Sequence, residues 1–308
     1  MEQVLIFANP IAGRGVARTL AHGLRKRLTD EGYAPKLFLD PARTVRWHNT
    51  TGRPVAAVIA IGGDGTLRSV AQWALRDATQ ALSDTPPLLI VPLGTANLMG
   101  QHLGICWDAD RAEDQILAAL RRRRVVRLDV AEAGDGLCLA MAGVGVDACV
   151  IHELEKLRRG PITKASYALP VLRTALKYRF PPITVTVDGV KVFGPAAGVA
   201  FIGNIPEYGT GFPVLPHARS DDSVLDVCAL RCQSPFEMAN LLIQAAAGLH
   251  THSPGAVYLK GTHVTVTADE PVPVQVDGEA AGFTPLHLSL LPARIPFIVP
   301  ISQLATSN

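Results

Sequence analysis

The 308-residue chain is 48% hydrophobic and 18% charged with a formal net charge of +2, a globular balance long enough for two domains and without the basic excess that nucleic acid demands. No apolar run reaches the roughly 18 residues of a membrane-spanning helix, and Met1-Glu2-Gln3 lacks the basic start of a secretory signal, so none is expected. The five cysteines form no CxxC pair and the nine histidines no HExxH, which points to reduced thiols in a cytosolic protein rather than disulfides or zinc.

Val4-Leu5-Ile6-Phe7-Ala8 is a short buried-strand pattern that runs into Asn9-Pro10-Ile11-Ala12-Gly13-Arg14-Gly15; Leu20, Leu24 and Leu28 then recur at helical spacing. Val55–Ala60 is a second strand pattern, followed by Ile61-Gly62-Gly63-Asp64-Gly65-Thr66 and the apolar-periodic stretch Leu67–Leu75. A third strand, Leu88–Val91, leads through Pro92-Leu93-Gly94-Thr95-Ala96-Asn97 into a short helix. Each is a strand, a glycine turn and a helix. The glycines let a ligand approach the backbone, and the helix N-terminus behind each turn favours an anion. Strands alternating with helices call for a parallel sheet, at whose carboxyl edge the three loops should gather. One such loop is weak evidence for a nucleotide; three in order are strong. Asp64 reads in two ways. A carboxylate beside phosphate is repulsive unless it serves a metal ion or a reacting proton, and otherwise it caps the helix that follows.

Leu120-Arg121-Arg122-Arg123-Arg124-Val125-Val126-Arg127 closes the last helix of this half, and the pattern changes near 125–130. Short alternating strands are expected at Val125–Ala133, Leu137–Val144, Ile183–Val187, Ala196–Ile202, Val224–Leu230, Val257–Leu259, His263–Thr267, Val272–Val276 and Leu286–Leu290. Glycine, proline and acidic residues separate them, as in an antiparallel sandwich. Helical insertions are expected over about 149–179 and 235–249, the second carrying Phe236, Ala239, Leu242, Ala246 and Leu249 at helical spacing. Ile295–Pro300 reads as extended. The expected fold is an N-terminal three-layer α/β nucleotide-binding domain over residues 1–127 followed by an antiparallel β-sandwich over 128–292.

Asn9-Pro10-x-x-Gly13, Gly62-Gly63-Asp64-Gly65-Thr66 and Pro92-x-Gly94-Thr95-x-Asn97 resemble the motifs of the diacylglycerol kinase catalytic-domain family. That family includes bacterial lipid kinases and the sphingosine and ceramide kinases, and it is more distantly similar to NAD kinases and phosphofructokinases. The resemblance continues through Gly143-Val144-Gly145-Val146-Asp147, Gly203-Asn204, Tyr208-Gly209-x-Gly211-Phe212, Asp221-Asp222-x-x-Leu225-Asp226-Val227 and Val276-Asp277-Gly278-Glu279, so it covers nearly the whole chain. The late motifs discriminate, because NAD kinases lack this second half. The resemblance implies an active site in the cleft between the domains and a tail, 293–308, that packs back on the first. It also implies transfer of the γ-phosphoryl group of ATP to the primary hydroxyl of a lipid such as diacylglycerol or ceramide. A sphingosine kinase, an NAD kinase and a lipid-binding regulatory protein of the same fold are the alternatives.

On this resemblance Asn9, Pro10 and Gly13 line the nucleotide site, Gly62, Gly63, Asp64, Gly65, Thr66 and Leu67 hold phosphates, and Thr95 adds a hydroxyl. Thr44 matches a nucleotide-contacting threonine, with a shortened helix expected after it over Val45–Gly52. Phosphoryl transfer is mostly positioning and charge neutralisation, part of which Mg²⁺ supplies. The resemblance makes Asp222 the metal carboxylate, with the carbonyls of Arg219 and Val224 as co-ligands; by itself the Asp221-Asp222 pair reads equally as turn caps. Family members usually carry glycine after this pair, where this chain has Ser223. Glu279 is implied as general base, accepting the proton of the alcohol as the P–O bond forms, with Asp64 as the other catalytic carboxylate. Taken alone, Asp277-Gly278 reads as a hairpin turn. Arg68-Ser69 and Leu98-Met99 also depart from the family's more polar residues at those places.

Between Lys156 and Arg179 there are seven Lys or Arg (156, 158, 159, 164, 173, 177 and 179) and no Asp or Glu, interleaved with Tyr167, Leu169, Val171, Leu172, Leu176 and Tyr178. Such a segment either lies on an anionic membrane surface or is a solvated helix whose apolar side caps the sandwich. The expected partners are a lipid substrate and the inner face of the membrane, reached from the cytoplasm, with no nucleic acid; a homodimer is left open.

Overall fold

In the computed structural model, which describes residues 1–45, 54–76, 85–156, 173–209 and 211–300, strand β1 (Gln3–Ala8) is buried along its whole length. A Val-Leu-Ile-Phe run can be buried throughout only where both faces of its sheet are covered. The sheet around it comprises β2 (Ala34–Phe38), β3 (Val55–Gly62), β4 (Leu88–Pro92), β5 (Val125–Leu128) and β17 (Ile295–Ile298) in the order β2-β1-β3-β4-β17-β5. All pairs are parallel except β17–β5. On one face, Val4, Ile6, Ile59, Ile61, Leu89 and Val91 pack with Ala17, Ala21, Leu24 and Leu28 of α1 (Val16–Asp30) and Ile116, Leu117 and Leu120 of α4 (Ala112–Arg122). On the other, α2 (Asp64–Arg76) buries Trp73 against Phe7, with ring centroids 4.7 Å apart. Each such large side chain withdrawn from water stabilises the fold by about 1.5–3 kcal/mol.

The contacts divide the chain into two units, residues 1–128 with the tail from Pro292, and Asp129–Leu291. The second unit is antiparallel. Strands β6 (Ala131–Ala133), β7 (Gly136–Cys138), β9 (Pro182–Val187), β13 (His263–Thr267) and β16 (Leu286–Leu290) form one layer. Strands β8 (Met141–Val144), β11 (Leu225–Arg231), β12 (Val257–Gly261), β14 (Pro273–Val276) and β15 (Glu279–Phe283) form the other. The long strand β10 (Val190–Gly203) belongs to both, pairing with β9 through its first half and with β8 and β11 through its second. Ile183, Val185 and Val266 of one layer meet Val144, Ile202, Val227 and Val274 of the other in a shared core.

Several expected elements are redrawn. The strand expected over Val125–Ala133 is two, because the Asp129 N–H donates to Ser220 O (2.7 Å) and Val130 O accepts from the Leu291 N–H (2.9 Å). Leu137–Val144 is likewise broken: the Leu139, Ala140 and Met141 N–H groups donate to the Asp277 carboxylate at 2.9, 2.8 and 3.0 Å instead of to a strand. The first helical insertion begins earlier, as α5 (Val146–Lys156); residues 173–177 are helical, and 157–172 lie outside the described residues, as do 46–52 of the expected short helix. The second insertion is α6 (Pro235–Ala246). Strands β2 and β15 carry no clear period-2 apolar pattern and are found only in the structure.

Candidate functional site

The register places the carboxyl ends of β1, β3 and β4 side by side, and backbone hydrogen bonds tie their loops together. The Asn9 N–H donates to Ile61 O (3.0 Å) and the Leu93 N–H to Gly62 O (2.8 Å). The Gly62–Thr66 and Pro92–Asn97 loops then cross with bare backbone. A Cβ added to Gly94 would stand 2.6 Å from Gly63 Cα, and one added to Gly63 would stand 3.2 Å from Gly94 Cα. Asn97, in the left-handed region at φ +52°, holds the second loop by accepting from the Gly94 N–H (2.8 Å) and donating to Gly94 O (2.9 Å). Thr95, between these two residues, is exposed. The N-terminus of α1 has no side-chain cap and no acidic residue in its first turn; a single turn over Ala12–Gly15 precedes it and takes the Val16 N–H on the Ala12 and Gly13 carbonyls, and the positive end of the helix dipole favours an anion there. Gly13 precedes it, with Leu93 beneath; Asn9 and Pro10 are half-buried, and Asn9 Oδ1 accepts from the Ile11 N–H (3.3 Å).

Asp64 opens α2, yet its carboxylate turns to the next loop. Oδ1 accepts from the Met99 N–H (3.4 Å), and the Asn97 and Leu98 N–H groups face it as well. Burial raises its pKa above the ordinary carboxylate value, with these N–H groups pulling the other way. Asp64 thus ties the glycine loop to α3 (Leu98–His102). Leu98 and Met99, at positions more polar in the family, are buried, which accounts for their apolar character. Leu67 is buried behind the loop and its N–H donates to Gly63 O (3.1 Å), while Thr66 packs its side chain over Gly62 and Gly65 is half-buried between them. Thr44 sits on a single turn whose carbonyl at Pro41 accepts both its N–H (2.9 Å) and its hydroxyl (2.8 Å), and Trp73 Nε1 fastens that turn to α2 through Val45 O (2.8 Å).

In the second unit, Asp222 precedes β11 and Asp226 lies on it. The register sets Lys260 of β12 directly opposite Asp226. Lys260 Nζ is 2.6 Å from Asp222 Oδ2 and 3.3 Å from Asp226 Oδ2. Burial works against this ammonium, but the two carboxylates outweigh it and leave the lysine pKa raised. Asp226 is wholly buried and also accepts from the Tyr258 hydroxyl (2.7 Å). Ser223 adopts φ +64° and its N–H donates to Asp129 Oδ2 (2.7 Å). That backbone region disfavours any side chain, so glycine is the unstrained choice there and serine is held by its neighbours. Arg219 pairs with Asp221 at 3.3 Å rather than with Asp222. Among the described residues no group of three or more His, Cys, Asp or Glu is placed to hold a metal ion. One observation nonetheless fits a cation: Asp222 Oδ1 is buried and has no hydrogen-bond partner, so the oxygen that Lys260 leaves free, with main-chain carbonyls nearby in sequence at Arg219 and Val224, suits a hard divalent ion.

Glu279 is the first residue of β15, facing Val276 of β14 across the turn Asp277-Gly278. Both turn residues have positive φ, +52° and +78°, the pattern of a tight hairpin. Asp277 is buried and its carboxylate takes the three N–H groups of residues 139–141, which fixes the hairpin and therefore Glu279. The hairpin and the catalytic readings are thus compatible. Asp147, at the start of α5, was visible in the sequence only as part of a motif. Its Oδ1 is buried without a partner and its Oδ2 accepts from the Gln275 amide (3.4 Å); burial pushes its pKa up to about 6, opposed by the Ala148 N–H and Gln275. Lys260 was missed entirely, since nothing in the sequence marks its pairing with a residue 34 positions away.

Residues 3–133 match the diacylglycerol kinase catalytic domain, and residues 140–299 match the YegS C-terminal NAD kinase beta sandwich-like domain. A diacylglycerol kinase from Mycobacterium tuberculosis is 25% identical over 307 residues, covering 97% of this chain and 95% of that protein. Among solved structures, a putative diacylglycerol kinase from Bacillus anthracis superposes with a TM-score of 0.73 at 21% identity, over 98% of this chain and 97% of that one. An NAD kinase from Archaeoglobus fulgidus in complex with ATP gives a TM-score of 0.53 at 14% identity, over 98% and 95%.

Proposed function

Because the chain belongs to the family that joins a diacylglycerol kinase catalytic domain to a YegS-type sandwich, a family of lipid kinases, we propose that it transfers the γ-phosphoryl group of ATP to the primary hydroxyl of a lipid such as diacylglycerol or ceramide. The observation that carries the nucleotide half of this reading is the crossing of the Gly63 and Gly94 backbones beside an uncapped α1 N-terminus. Bare amides and a helix dipole are what a polyphosphate needs.

ATP supplies the phosphoryl group, and Mg²⁺ supplies part of the charge neutralisation on it. Asn9, Pro10 and Gly13 line the nucleotide, Gly62–Leu67 hold its phosphates, and Thr95 offers a hydroxyl from the adjacent loop; Thr44 approaches from its own turn. Asp64 keeps the glycine loop and α3 in register. Asp222, with the carbonyls of Arg219 and Val224, would hold a divalent ion that Lys260 complements on the other carboxylate oxygen. Glu279 accepts the proton of the lipid hydroxyl as that oxygen bonds to phosphorus. The Asp277 anchor keeps Glu279 from drifting. Action on a lipid places the chain at a membrane surface peripherally; no helix among the described residues is long and apolar enough to cross one.

A radiolabelled-ATP assay across diacylglycerol, ceramide, sphingosine and NAD, with products identified by mass spectrometry, tests this. A labelled phosphatidate or ceramide phosphate supports it, and label on NAD alone would replace it with the NAD kinase reading.

A further inference from the structure

Helix α6 is apolar on two sides. Its inner side, with Met238 and Leu241, packs into a cluster that includes Phe201, Leu215 and Leu230. Its outer side carries Phe236, Ala239, Ile243 and Ala246 at helical spacing, all exposed, with Phe236 at 85% and Ile243 at 70%. Leu242 and, just past the helix end, Leu249 extend the same surface. Exposed Asn240 also lies on this side, and large apolar side chains gathered on a surface mark an interaction site.

The start of the helix holds its one charged side chain against the backbone. Ser234 Oγ caps the helix by accepting from the Glu237 N–H (3.2 Å), and Glu237 Oε2 reaches back past the cap to accept from the Gln233 N–H (2.8 Å), with Pro235 in the first turn. Glu237 is the only Asp, Glu, Lys or Arg between Pro235 and Leu249, and its carboxylate is engaged with the backbone. Ala175 and Tyr178 pack against the same cluster as Met238 and Leu241, and the exposed Arg173, Lys177 and Arg179, with exposed Leu176, alternate with them along the chain. Five of the eleven large exposed hydrophobic side chains among the described residues thus lie on α6 and its turn or on this basic segment.

We propose that the outer face of α6 is the membrane-docking surface: Phe236, Ile243, Leu242 and Leu249 insert at the headgroup–acyl boundary of an anionic bilayer while Arg173, Lys177 and Arg179 contact its phosphates. An uncharged wedge flanked by cations matches an acyl layer beneath anionic headgroups. The proposal rests on the lipid-kinase reading for its partner, but docking is measured without turnover, so the two can fail separately.

The test uses flotation of the full chain on phosphatidylcholine vesicles with and without phosphatidylglycerol. Phe236→Ser with Ile243→Ser should lower recovery on both kinds by tenfold or more, as expected for two large side chains withdrawn from the acyl boundary. Arg173→Gln with Lys177→Gln and Arg179→Gln should weaken binding only where phosphatidylglycerol is present, and salt should mimic it. Turnover of a short-chain, water-soluble lipid analogue should survive in both variants. Hydrogen exchange of the unmodified chain should show residues 235–249 protected when vesicles are added, which needs no variant to fold. Equal flotation of the serine variant and the parent, or no protection of 235–249, overturns the proposal. So does a dimer seen by light scattering that the serine variant abolishes while flotation stays unchanged.

Discussion

Asp147→Asn replaces a carboxylate that burial raises from 3.8 to about 6 by an amide of the same shape. Below the lower value the folded and unfolded chains both hold the proton, so the residue costs nothing. As pH rises through the window, the unfolded chain releases the proton first. The folded state then binds more protons, and stability falls with pH until the folded carboxyl also ionises. At 1.36 kcal/mol per unit the loss is at most about 3 kcal/mol, reached near pH 6 and constant above it. The Asn variant lacks this titration, so its stability relative to the parent should climb by up to about that amount between about pH 4 and pH 6 and then level off. Urea midpoints measured across that range, with m-values checked for constancy, give the comparison. Parallel profiles for the two proteins would refute the reasoning and mean that the Asp147 carboxylate is solvated. A difference that continued to grow well above pH 6 would assign the titration to another group.

Gly94→Ala places a Cβ 2.6 Å from Gly63 Cα, a backbone contact that cannot yield, so ATP affinity should fall tenfold or more; wild-type affinity by calorimetry in a folded variant would remove these loops from the nucleotide site. Glu279→Gln keeps the hairpin and removes the basicity, so turnover should drop by roughly 10²–10⁴ with ATP binding unchanged; undiminished turnover would transfer the role of base to Asp64 or another group. Lys260→Met leaves Asp222 and buried Asp226 without their cation and should destabilise the chain by about 1–3 kcal/mol, less than a fully buried pair because the lysine is partly exposed. Added Mg²⁺ should restore thermal stability to that variant more than to the parent, and the absence of any Mg²⁺ response in either would exclude Asp222 as a cation ligand.

Much of the first unit follows from local chemistry. Val4–Ala8, Val55–Ala60 and Leu88–Val91 are continuous apolar runs that only a doubly covered sheet accommodates, and each ends in glycine or proline turns, so these three strands and the loops behind them were readable, while β2 was not. The late motifs marked the family, but the expectation that NAD kinases lack the second half does not hold: that half matches an NAD kinase beta sandwich-like domain, and an NAD kinase superposes over 98% of this chain. Strand ends were less legible. Whether Leu139 and Ala140 continue a strand depends on a carboxylate 137 and 138 residues away that takes their N–H groups, and no window of sequence contains both partners. The place of β17 between β4 and β5 is likewise a matter of long-range pairing. Tertiary structure alone also decided what the charged groups face. Asp64 turns from its own loop to the N-terminus of α3, Lys260 meets Asp222 and Asp226 through the register of β11 with β12, and α6 keeps Phe236 and Ile243 outside while Leu241 goes in. Residue type and spacing set which backbone conformations and apolar faces are favourable, because those terms are local. Electrostatic partners and burial depend on which distant segments the packed core brings within a few ångströms.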